Sequence, residues 1–141
     1  MPARPVDVIT PADEPAGPQP VDLMHELSIA QSLIELLEQR LASEGPVRVS
    51  RVGIAVGELS AVVPDAMQTA WQVATRQTRF EGATLEIETI GVTVYCPHCN
   101  QSRPAADPPR LRCSVCGTPA DRMLTGMELE VRHLEVLDPD E

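Results

Sequence analysis

Lysine is absent from the 141-residue sequence, and Trp71, Phe80 and Tyr95 are its only aromatic residues. Single-stranded nucleic acid is gripped by basic grooves and stacking platforms, both of which this chain lacks. Its arginines are outnumbered by twenty-one acidic residues, and the formal net charge of −10 repels phosphate backbones. Nucleic acid is therefore not an expected partner. No apolar run approaches the roughly 20 residues that cross a bilayer, and the amino terminus lacks the charged, apolar and small-residue order of a secretory signal. The expectation is a cytoplasmic protein without membrane contact. With so few aromatics, the core is expected from Val, Ile, Leu, Ala and Met. The length suits one domain with a small insertion.

Against these shortages stand four cysteines in two pairs, Cys96-Pro97-His98-Cys99 and Cys113-Ser114-Val115-Cys116. In a reducing compartment such pairs favour a metal over disulfides. Two tight turns offer two sulfurs each to a tetrahedron of the size Zn²⁺ prefers, and Gly117 suits the left-handed residue that such a knuckle needs. Zinc held by Cys96, Cys99, Cys113 and Cys116 is the expectation. Iron in a rubredoxin-like carrier would use the same ligands. Four sulfurs close the coordination sphere, so a structural role is expected over a catalytic one. His98 is read as a filler in the first knuckle and His133 is given no role. No nucleophile stands with a base at an interpretable spacing, so the chain is not expected to be an enzyme.

Along the chain, residues 1–23 are rich in proline and poor in large apolar groups, and are expected to be a disordered arm or a start-site artefact. From Leu27 to Leu41, Ala30, Leu33, Ile34, Leu37 and Leu41 recur at helical spacing, with Gly45-Pro46 as a stop. A capping box of Ser28 and Gln31 would start this helix just after His25 and Glu26. Val52, Ile54 and Val56 alternate as a buried strand. Val49 has the opposite parity, which requires a late start or a bulge. Asp65 with Gln68 reads as the cap of a second helix that buries Met67, Ala70, Trp71 and Ala74. Strand-like runs follow over Leu85 to Val94, and Met127, Leu129 and Val131 begin a last strand. The expected fold is α+β: a small mixed sheet with two helices on one face, plus an inserted zinc-ribbon-like unit. Residues 24–93 and 124–138 would form the first domain and residues 94–123 the insertion.

Met24-His25-Glu26-Leu27-Ser28-Ile29-Ala30-Gln31-Ser32-Leu33, the Gly57-Glu58-Leu59-Ser60 loop and the two cysteine knuckles together resemble the HypA/HybF nickel chaperones of hydrogenase maturation. The resemblance spans residues 24 to about 137. It implies a nickel-binding domain with an inserted zinc domain, acting with a HypB-type GTPase to load Ni²⁺ into the [NiFe]-hydrogenase large subunit, and in some organisms serving urease maturation proteins. It further implies nickel on a terminal amine, a backbone nitrogen and a histidine, here His25, with Glu26 in support and Asp65 as a candidate neighbour. Residues 1–23 depart from this pattern by placing Met24 inside the chain, and a misplaced start or a removed arm is favoured over a redesigned site. A zinc-ribbon adaptor or regulator without nickel is the alternative.

Overall fold

The computed structural model describes residues 3–7, 23–106 and 110–139, without the side chains of residues 23 and 24. A first sheet is built from β1 (Arg4–Pro5), β2 (Arg48–Gly57), β3 (Thr84–Ile90) and β8 (Leu129–Leu137), in the order β1-β8-β2-β3. β2 runs parallel to β3 and antiparallel to β8, so the sheet is mixed, as expected. Parallel neighbours require a crossover, supplied here by α2 (Pro64–Ala74). Together with α1 (Leu23–Arg40), α2 contributes to a core that includes Ala30, Leu37, Leu41, Val52, Ile54, Met67, Trp71 and Leu134. Leu37 and Leu41 are fully buried, a gain of about 1.5–3 kcal/mol each.

Two of the three aromatics also lie in this core: Trp71, as its helical spacing predicts, and Phe80, which the expectation of an aliphatic interior leaves out. Trp71 and Phe80 meet edge to face at 5.9 Å, and the Trp71 indole N–H donates to the Ala83 carbonyl at 3.0 Å. The polar tip of the buried indole is thus satisfied.

Both register irregularities in the β2–β8 pair redirect side chains. Ser50 is the extra residue between Val49 and Arg51, the bulge that the parity of Val49 required. Arg132 is the extra residue between Val131 and His133. Past it the parity inverts: Leu134 and Val136 enter the core, while His133 crosses to the face of Gly53, with its Nε2 3.2 Å from Glu86 Oε1.

The helix starts differ from expectation. α1 begins at Leu23, about a turn before the Ser28–Gln31 box, so His25 and Glu26 belong to its first turn. α2 begins at Pro64 behind Val63, which offers no side-chain cap. Asp65 is exposed inside the first turn, and Gln68 donates instead to the Leu85 carbonyl at 2.8 Å.

A second sheet contains β4 (Thr93–Cys96), β5 (Gln101–Ala106), β6 (Arg112–Cys113) and β7 (Arg122–Thr125), in the order β6-β5-β4-β7. The chain enters it past Gly91 and leaves through Gly126, and Thr125 Oγ1 donates to the Gly91 carbonyl at 2.8 Å. The loop after β2 clamps both crossings: Glu58 N–H donates to Ile90 at 2.8 Å and Leu59 N–H to Gly126 at 2.7 Å. Only glycine fits at position 57, because a Cβ there would lie 2.2 Å from the Gly126 carbonyl carbon.

Candidate metal centres

The cysteine centre is assembled from matching knuckles. In the first, the Cys99 amide points at Cys96 Sγ at 3.3 Å and Asn100 N–H bonds the Cys96 carbonyl at 2.8 Å. In the second, the Val115 and Cys116 amides point at Cys113 Sγ at 3.3 and 3.5 Å, and Gly117 N–H bonds the Cys113 carbonyl at 3.0 Å. Each knuckle closes on a left-handed residue, Gly117 with φ +76° and Asn100 with φ +60°. Asparagine is among the few non-glycine residues that visit this region readily.

The four sulfurs lie within 4.8 Å of one another, with Cys96 and Cys116 at 3.5 Å and Cys99 and Cys113 at 3.9 Å. A tetrahedron with metal–sulfur bonds of about 2.3 Å has edges of about 3.8 Å. The donor set is therefore close to the size that a metal tetrahedron needs, and no other such group occurs among the described residues.

The surroundings treat the thiols unequally. The Thr118 hydroxyl and amide pull the Cys116 thiol down to about 5. Burial raises Cys113, but the amides of Cys116 and Val115 outweigh it and leave its pKa lowered. Arg103 acts to lower Cys99, yet burial and the three neighbouring sulfurs prevail and push it up to about 11. Thiolates crowded together without a cation repel one another, and Cys99 is the sulfur raised in consequence. Neither Thr118 nor Arg103 was anticipated; their signals are only proximity, two residues after Cys116 and four after Cys99. His98 is exposed at the first knuckle and joins no metal-binding group among the described residues.

The second candidate is the first turn of α1. The His25 side chain is only 9% exposed, and its Nδ1 lies 3.8 Å from Glu26 Oε2. Glu26 is completely buried, and Oε2 accepts the Val63 N–H at 2.9 Å. In a capping box the third helical residue sends a carboxylate back to the cap amide. Here Ala66 occupies that position, and Glu26 reaches in from α1 instead. Glu26 Oε1 is buried without a hydrogen-bond partner among the described residues. A carboxylate so placed is tied into the structure behind His25, a role that no local pattern signals.

Residues 24–136 match the family model described as hydrogenase/urease nickel incorporation, metallochaperone, hypA. The hydrogenase maturation factor HypA of Roseiflexus sp. is 44% identical over 115 residues, covering 82% of this chain and 94% of the relative. That of Geobacter metallireducens is 40% identical over 116 residues, covering 80% and 99%. Among solved structures, the solution structure of HypA protein superposes with a TM-score of 0.58 at 25% identity, covering 81% of this chain and 97% of the other. The solution structure of the Ni metallochaperone HypA from Helicobacter pylori gives a TM-score of 0.52 at 21% identity, covering 79% and 94%, a likeness of fold.

Proposed function

Because this chain belongs to the HypA family of nickel-incorporation metallochaperones, we propose that it binds Ni²⁺ at the His25 turn and delivers it during maturation of [NiFe]-hydrogenase. The observation that carries this reading is the pairing of His25, withdrawn from water in the first turn of α1, with the buried Glu26 carboxylate beside its Nδ1. The Glu26 carboxylate, 3.8 Å from Nδ1, places a negative charge behind the ring and leaves the nitrogen farther from Glu26 to meet a cation. Nitrogen ligands suit Ni²⁺, whereas the closed set of sulfurs at Cys96, Cys99, Cys113 and Cys116 suits a resident Zn²⁺. Two chemistries thus separate cargo from structural ion.

The zinc would hold the second sheet together, and Ni²⁺ would be the substrate passed on. The partners in this reading are a HypB-type GTPase and the hydrogenase large subunit, with urease maturation proteins as further clients, in the cytoplasm. The protein acts as a carrier and not as an enzyme. Nickel binding is expected to weaken on acidification, because the imidazole must shed its proton to bind.

The test is His25→Ala in the full chain, followed by nickel titration calorimetry and metal analysis. Nickel affinity is expected to fall at least about tenfold, while zinc content and the far-ultraviolet circular dichroism stay unchanged. Unchanged nickel affinity, or nickel bound only by displacing zinc from the cysteines, would instead support a zinc-ribbon adaptor. Within this chain the Met24 nitrogen is a peptide nitrogen one residue into α1. A chain beginning at Met24 would carry a free amine there and is expected to bind nickel more tightly.

A further inference from the structure

Residues 3–7 lie outside the family match, which begins at residue 24, yet they are seated on the fold. β1 pairs antiparallel with β8, Arg4 opposite Val136 and Pro5 opposite Glu135, and the Val6 N–H donates to the Leu134 carbonyl at 2.8 Å. The Val6 side chain packs against the core. Arg4 then fixes the register: its Nε and Nη2 reach the two oxygens of Asp138, each at 2.8 Å, and Nη2 also reaches Glu44 Oε1 at 2.7 Å. This parallel fork on one carboxylate is a geometry that a guanidinium supplies and an ammonium does not.

We propose that the edge of β8, together with Asp138 and Glu44, is a docking site for an extended arginine-bearing peptide, and that residues 3–7 are its tethered, displaceable occupant. The main-chain bonds and the arginine fork divide the recognition between them, as in strand addition to a sheet edge. Hydrogen-bonding direction alternates along a strand, so with Val6 turned towards β8 the missing N–H of Pro5 falls on the outer side. Proline there stops a further strand from adding to the arm itself. The contact is short, and Arg4 and Asp138 are each about two-fifths exposed, so salt weakens it. What holds it closed is that the arm belongs to the same chain, which makes its pairing with β8 intramolecular. The proposal is independent of the nickel reading.

The experiment uses the full chain and its Arg4→Glu variant with a synthetic peptide of residues 1–8, read by amide hydrogen exchange. The Leu134 and Val136 amides face β1, while that of Glu135 faces β2 and serves as the internal control. Arg4→Glu is expected to speed exchange at Leu134 and Val136 at least about tenfold and leave Glu135 unchanged. Added peptide should restore their protection in the variant and do little to the wild type, whose edge is filled. A peptide carrying Arg4→Ala should fail, and Asp138→Asn in the Arg4→Glu background should abolish the rescue. Equal exchange at these amides in wild type and Arg4→Glu overturns the proposal. So does rescue by the Arg4→Ala peptide, absence of rescue at millimolar peptide, or protection that instead follows concentration-dependent dimerisation.

Discussion

The Glu26 carboxylate on α1 accepts the Val63 N–H at 2.9 Å, so one helix's first turn caps the start of the other. The Glu26 side chain is fully buried, and its contact ties α1 to the start of α2. Glu26→Ala removes the acceptor and leaves a cavity, and should lower stability by about 1–3 kcal/mol. Glu26→Gln retains a carbonyl acceptor and should cost less. Urea denaturation of both variants measures the difference, and equal midpoints for all three proteins would refute the capping role.

If the cysteine cluster holds zinc as proposed, removing it should unfold the cysteine unit selectively. Structural zinc contributes about 10–16 kcal/mol of apparent binding free energy in small zinc folds, and little apolar surface supports β5 and β6. Chelation, or Cys99→Ser, should therefore abolish amide protection in β4 to β7 while Val52 and Ile54 stay protected. Amide exchange in the two states checks this.

Loading of the cluster should depend on pH in a defined sense. With Cys116 lowered to about 5, that sulfur is already a thiolate at neutral pH, whereas Cys99, raised to about 11, must give up its proton to bind. Metal binding at pH 7 should thus release protons, fewer than one per sulfur, and apparent affinity should rise with pH. Thr118→Val removes the hydroxyl beside Cys116, raises its pKa and increases the protons released at neutral pH. Calorimetry in buffers of different ionisation enthalpy counts them.

Gly57→Ala should be among the most destabilising single-methyl substitutions in the chain. The new Cβ meets the backbone of Gly126 and Met127 within 2.4 Å, and backbone cannot swing aside as a side chain can. A loss of about 1–3 kcal/mol or more is expected, with exchange rising first at the Glu58 and Leu59 amides. Thermal denaturation and amide exchange test it.

The α1 stripe of Ala30, Leu33, Ile34, Leu37 and Leu41 and the spacing of the cysteines were legible because each is a local periodicity. The start of α1 was not. Ser28 and Gln31 spell a capping box, and it is overridden by the burial of Glu26 against Val63, a contact across 37 positions of sequence. Likewise, alternation through Leu129 and Val131 cannot reveal that Arg132 is an extra residue, and so cannot place His133 on the face of Gly53. Two paired residues in a proline-rich arm carry no period at all. Their seat depends on Asp138 and Glu44, which are distant in sequence.

The side-by-side entry and exit of the cysteine unit make it separable from the rest of the chain. β3 ends opposite Gly57 and β8 begins opposite Val56, so the two cut ends flank the same end of β2. Across two strand spacings, about 10 Å, a linker of roughly three to five residues would reach. The whole unit from Gly91 to Gly126 could be excised and replaced by such a bridge without rerouting any strand. In architectural terms it is a cartridge seated in one loop, open to exchange for another module while the His25 turn stays where it is.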